Sequence, residues 1–277
     1  MSWLEVFQSI FRYQFMLRAV IVGVMVAIST SFIGSFLVLK KFSMIGHGLS
    51  HVAFAGIAIG LWLDQAPLLV SIPVVVGVSV FILKLNQNVQ LHGDAAIGLT
   101  AAFAMALGTV LASIGGGFNV DLFSYLFGSI LAIRQVDLYL SIAFSFIVLI
   151  TIIIFYHDLF AMTYEEEFAK VSGVKTSNLN TLLAVLTGLA VVIGIRVIGT
   201  VLISSLIIFP TVIAMQFNKG FKGTITIAVF SSVLSVLVGL IVSFKYDLPS
   251  GSTIVIVNAA VFFTIYLYNS FRKLRFN

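Results

Sequence analysis

The chain has 277 residues, 60% of them hydrophobic and 9% charged, with no cysteine and a formal charge of +5; its mean hydropathy is +1.17. A water-soluble domain of this size cannot hide so much apolar surface, so the solvent is lipid and the chain is a polytopic membrane protein. The absence of cysteine excludes disulfides, thiolate metal sites and thiol redox chemistry, and the basic excess lies mostly in short connectors, where it sets orientation and does not point to nucleic acid.

The N-terminus, MSWLEVFQSIFRYQF, lacks a basic region followed by a short apolar core and a small-residue cleavage site. It reads as an amphipathic lead-in helix, with Trp3, Phe7 and Phe11 at helical spacing. The first uncharged run, Ala19 to Leu39, is long enough to cross a bilayer and ends at Lys40 and Lys41, which the positive-inside rule places in the cytoplasm. A second run covers Phe42 to Leu63. Asp64 and Pro67 turn the chain, and Ala66 to Leu83 returns to Lys84 and the polar connector KLNQNVQLHGDAA.

Ala95 to Ile114 is the fourth run, ended by three glycines. Val120 to Ile133 carries Asp121 and is too short for a comfortable span, so it reads as a re-entrant or partial helix covered by protein. Leu138 to Tyr156 follows, then the largest polar piece, His157 to Asn180. Leu179 to Ile195 and Val197 to Asn218 are split by Arg196 and Gly199, and Pro210 sits inside the second. Such interruptions mark a transport pathway, a simple tight hairpin or a kinked lipid-facing helix. Gly223 to Phe244 and Ser252 to Phe271 complete the pattern before a basic tail, RKLR. The expected fold is all-α: a bundle of about eight or nine membrane helices with a broken or re-entrant segment, a single domain over 1–277, and a cytoplasmic C-terminus.

The second run holds the most specific chemistry. His47 and His51 are four residues apart, on one helix face, with Cβ atoms roughly 6 Å apart. Two neutral imidazoles can share a divalent cation such as zinc. The same spacing also fits ordinary histidines near a membrane surface, and spacing alone leaves both open. Glu165, Glu166 and Glu167 stand where a helix N-terminus would welcome acids, and Phe168 with Val171 could form an apolar face. A short cytoplasmic helix of this kind suits either partner docking or a solvated loop.

Several chemistries are missing. There is no GxxxxGK[ST] phosphate loop, since SGVKT at 172 to 176 lacks the glycine spacing. Residues 48 to 50 between the histidines are Gly, Leu and Ser, so the glutamate general base of an HExxH protease is absent. No GxSxG hydrolase motif has a histidine partner. A membrane bundle with a cation-binding pair and no catalytic constellation reads as a permease and not an enzyme.

The motifs carry a resemblance that runs nearly end to end. GSFLVLKKFSMIGHGLSHVAFAGIAIG at 34 to 60, GDAAIGLTAAFAMALG at 93 to 108, VDLFSYLFGSILAI at 120 to 133, EEEFAKVSGVK at 165 to 175, IGTVLISSLIIFPTVIA at 198 to 214 and YDLPSGSTIVIVNAAVFF at 246 to 263 stand in order. Together they resemble the membrane subunits of bacterial ABC importers for divalent metals, the family of zinc and manganese/iron permeases. The resemblance implies a plasma-membrane subunit that pairs with a second copy of itself, docks cytoplasmic ABC ATPase subunits and receives metal from an extracytoplasmic metal-binding lipoprotein. It implies no permanently bound cofactor, with zinc, manganese or iron as transported substrate.

It also implies an ATPase-coupling role for Glu165, Glu166, Glu167, Phe168, Ala169 and Gly173. His51 matches the histidine of the family's D-x-L-x-H motif, whereas His47 stands where an aspartate is usual. Two histidines make a softer, all-nitrogen pair that favours zinc over manganese. Ala55, where manganese-type members tend to carry proline, and the strings SYLFGSILAI and YDLPSG point the same way. The alternatives are manganese or iron(II) import by the same architecture, or an ion-gradient-driven carrier, whose expected signature is acids deep in the bundle and for which Asp121 is the one good candidate. Asp94, Asp121 and Arg196 receive no assigned role.

Overall fold

The computed structural model describes residues 12–88, 93–114 and 133–276. The lead-in segment with Trp3, Phe7 and Phe11, and the short run from Val120 to Ala132 with Asp121, lie outside the described residues. Those residues form eleven helices: α1 (Gln14–Leu39), α2 (Ile45–Trp62), α3 (Pro67–Asn88), α4 (Gly93–Ile114), α5 (Gln135–Ile154), α6 (Tyr156–Tyr164), α7 (Glu166–Val171), α8 (Thr176–Ile198), α9 (Thr200–Met215), α10 (Phe221–Tyr246) and α11 (Ser250–Phe276). Eight are long and apolar enough to cross a membrane, as the hydropathy pattern requires. Helix α9, with 16 residues, rises about 24 Å, short of a hydrocarbon core of about 30 Å.

Helix α1 is the central post. It packs against α5, α8, α9 and α10, and Met16, Val22, Ile33 and Phe36 on it are fully enclosed. Lipid gives helices no hydrophobic reason to associate, so close approach and small polar side chains must do it. Ser29, Thr30, Ser31 and Ser35 of α1 each donate to a carbonyl one turn back. That arrangement satisfies the hydroxyls without a neighbour and leaves the helix surface smooth. Where neighbours do meet, Ser145 of α5 donates to the Met25 carbonyl at 2.8 Å, and the Ser29 hydroxyl lies 2.7 Å from that of Ser145.

The polar stretch after α5 is more ordered than its composition suggests. It holds α6 and α7, and α8 already begins at Thr176. Phe221, at the start of α10, is the hub that fixes this piece. Its ring meets Phe36 of α1 and Tyr156, Phe160 and Tyr164 of α6 at centroid distances of 5.3, 6.0, 5.1 and 5.9 Å. The aromatic cluster ties α6 to the bundle at the end where α1 terminates.

The interruption between the two runs near Arg196 is a single-residue elbow. Gly199 has φ 85° and ψ 165°, a backbone region that essentially only glycine occupies. A Cβ on Gly194 would run into the side chain of Ile203, with Cγ1 at 3.0 Å. Residues so near in sequence can touch in this way only if α9 folds sharply back from α8.

Candidate metal site

Helix α2 is built to be gripped on most of its circumference. Ile45, Leu49, Val52, Ala53 and Ala55 are buried, and the helix packs against α3, α4, α8 and α9. Its glycines allow backbone-level approach: a Cβ on Gly56 would stand 2.8 Å from the Ser71 Cα of α3. The stripe left over is where the histidines sit. His47 is exposed and His51 half-buried, one turn apart near the start of the helix.

The two imidazoles point their Nε2 atoms at each other. The nitrogens are 3.4 Å apart, and the rings are nearly perpendicular, with centroids 4.8 Å apart. Zinc binds imidazole nitrogen at about 2.0–2.1 Å, so two nitrogens on one tetrahedral ion stand about 3.4 Å apart. The Nε2 separation in the pair equals the edge length of a tetrahedral zinc shell. Among the described residues no group of three or more His, Cys, Asp or Glu side chains could hold a metal ion, so there the two histidines stand as a pair.

The coupling candidates divide by orientation. Glu165 is the extended N-cap of α7, and Glu166 and Glu167 occupy its first turn, where acids complement the helix dipole. Glu167 faces water and pairs with Lys170 at 2.7 Å. Phe168 and Val171 are 67% and 88% exposed, an apolar pair left uncovered among the described residues, whereas Ala169 between them in sequence is fully buried. Gly173 closes the segment with φ 89°, the left-handed conformation that favours glycine at a helix end.

Of the three glutamates, Glu166 is the one that turns inward. Lys40 Nζ donates to its Oε2 at 3.1 Å, and Asn180 Nδ2 donates to its Oε1 at 2.9 Å. Lys40 also donates to Asn180 Oδ1, closing a ring of three side chains. The Lys40 side chain is 8% exposed. Burial pulls its ammonium below the usual lysine range, while the neighbouring Glu166 works in the opposite direction. Sequence reasoning assigned Lys40 to orientation alone and did not single out Asn180. The only signal was a lysine pair at a helix end, common to most membrane proteins.

The architecture and the segments match known proteins along almost the whole chain. Residues 12–269 fit the family model described as the ABC 3 transport family. The chain belongs to that family.

Among its relatives is the high-affinity zinc uptake system membrane protein ZnuB of Haemophilus influenzae. It is 32% identical over 251 residues, which is 90% of this chain and 96% of that protein. The manganese transport system membrane protein MntC of Halalkalibacterium halodurans is 28% identical over 263 residues, 95% of this chain and 90% of the relative. The solved structure of PsaBC from Streptococcus pneumoniae in complex with Fab superposes with a TM-score of 0.84 at 27% identity, over 95% of each chain. The ABC 3 family member described here is thus a multi-pass permease of a bacterial ABC importer for divalent metal. It is the membrane subunit and not the ATPase, so ATP hydrolysis and delivery of the metal fall to partner chains.

Proposed function

We propose that this permease imports zinc and that His47 and His51 are its translocation ligands. The observation that carries the reading is the 3.4 Å separation of the two Nε2 atoms, which matches the edge of a tetrahedral zinc shell. Imidazole pairs suit zinc, whereas manganese is better served by carboxylate and other oxygen ligands. A second copy of the chain, related by a twofold axis along the pathway, would bring another His47 and His51 and complete four nitrogens. An ion held by ligands from two subunits is released when the subunits part, which suits a site that must let its cargo leave.

In this reading the exposed face of α7 is the docking point for the ATPase. Phe168 and Val171 supply apolar contact, Glu165 and Glu167 the polar rim, and Ala169 and Gly173 the buried support and the helix stop. Manganese import is the second reading, favoured by the manganese system among the relatives.

Radioactive zinc uptake by metal-starved cells expressing the complete transporter, with excess manganese as competitor, separates the two. Zinc uptake that resists manganese and disappears in His47→Ala and His51→Ala, both inserted at wild-type level, supports the zinc reading. Manganese entry in place of zinc overturns it. Zinc uptake that survives both substitutions removes the histidines from the pathway.

A further inference from the structure

The Lys40–Glu166–Asn180 ring joins three parts of the chain that hydropathy keeps apart. Lys40 ends α1, Glu166 opens α7 and Asn180 lies in the first turns of α8. Every polar atom in the ring faces another member, and Asn180 is 6% exposed. A lysine this deeply buried with one carboxylate partner is tightly bound to it, because loss of either partner strands the other in a poorly solvated place. The α6–α7 piece is thus held at two points: by the aromatic cluster on Phe221 and by this ring.

Two structured connections lead from the ring to the histidines. The first is the turn after Lys40. Phe42 N–H donates to the Leu37 carbonyl at 2.9 Å and Ile45 N–H to the Phe42 carbonyl at 3.2 Å, with Lys41 at φ 62° between them. A turn pinned by its own hydrogen bonds transmits displacement directly into α2, whose first two turns carry His47 and His51. The second route runs from Asn180 along α8, through the Gly199 elbow, into α9. There the Ile207 side chain fills the space where Gly46 would carry a Cβ, its Cδ1 2.6 Å from that position. Neither route includes a long unstructured connector.

We propose that Lys40, Glu166 and Asn180 form a positioning joint that passes movement of the ATPase-docking segment to the histidine-bearing helix. The proposal rests on the reading of residues 165 to 173 as that docking segment. The chemistry required is mechanical: an ionic, hydrogen-bonded link stiff enough that α7 cannot shift without taking the α1–α2 turn along.

The test uses the complete transporter, permease with ATPase and binding protein, reconstituted in proteoliposomes. ATP hydrolysed per zinc ion transported is measured for Lys40→Met, for Lys40→Arg, and for the double variant Lys40→Met/Glu166→Leu, which leaves no stranded charge. A joint that carries a typical coupling energy raises the ratio by about fivefold or more in Lys40→Met and in the double variant. The ATPase stays bound in both, and Lys40→Arg restores the wild-type ratio. A merely structural role would lower hydrolysis and transport together and leave the ratio alone, which would overturn the proposal, as would release of the ATPase from Lys40→Met. Phe168→Ala is the control for the underlying reading. If it releases the ATPase while Lys40→Met keeps a normal ratio, the joint alone is wrong. If the ATPase stays bound to Phe168→Ala, α7 is not the docking element and the joint falls with it.

Discussion

Gly34 of α1 lies directly against the backbone of Ile207 in α9. An added Cβ at Gly34 would collide with the Ile207 carbonyl oxygen and stand 3.1 Å from its Cα. Because the Ile207 side chain also occupies the space beside Gly46, this one contact locks together α1, α9 and the helix that carries the histidines.

Gly34→Ala is therefore expected to push α1 from α9 and destabilise the fold by about 1–3 kcal/mol, the usual cost of overpacking. Gly77→Ala is the control, since among the described residues nothing beyond its own stretch of helix lies within 4 Å of the position its Cβ would take. Thermal unfolding in detergent should show a lower midpoint for the first variant and none of that loss for the second.

The Gly199 elbow makes a similar demand through backbone conformation. With φ 85° and ψ 165°, any L-residue there is strained, at a cost of about 1–3 kcal/mol. Gly199→Ala should lower the unfolding midpoint and weaken the fold-back of α9 on α8. Equal stability of wild type and variant would show that the elbow tolerates a side chain.

Adjacent acids in α7 should behave differently. Glu167 pairs with Lys170 in water, and its replacement by Gln should leave the unfolding midpoint unchanged, as for most surface pairs. Glu166 holds a largely buried lysine, so Glu166→Gln should cost about 1–3 kcal/mol. The measurement is the difference between the two unfolding midpoints, and Glu166→Gln should have the lower one.

How much of this was legible in the sequence depends on the range of the interaction. Membrane runs are selected by lipid residue by residue, so hydropathy located the helices and the interruption near Gly199. The i,i+4 rule placed His47 and His51 on one face, because four residues of helix fix their separation. For His157 to Asn180 composition was only partly informative. Its acids marked the short helix Glu166–Val171, but its charges gave no sign that Leu159 and Met162 are buried or that helices adjoin it on both sides. Lys40, Glu166 and Asn180 were unreadable as a unit, since only the packing of α1, α7 and α8 brings residues so distant in sequence together. The orientation of Ala169, buried among exposed neighbours, likewise depends on where α7 lies against the bundle.

Metal binding should depend steeply on pH. An imidazole must be neutral to bind zinc, so protons compete at every ligand. With four imidazoles on the ion, His47 and His51 from each of two chains, affinity should fall by up to about 10,000-fold per pH unit in the limit where a proton must leave every ligand. A single-histidine variant should show about half that slope on a logarithmic scale. Zinc titrations across mildly acidic to neutral pH check this, and equal slopes for wild type and His47→Ala would place only one of the two histidines on the metal.

X-ray absorption at the zinc edge, recorded on the purified transporter loaded with zinc, reads the ligand shell of the translocation site itself. Four imidazole nitrogens at about 2.0–2.1 Å are expected, with one ion for every two permease chains and loss of that signal in the His47→Ala/His51→Ala double variant. An oxygen-dominated, six-coordinate shell, or a nitrogen shell that persists in the double variant, would contradict a zinc site built on His47 and His51.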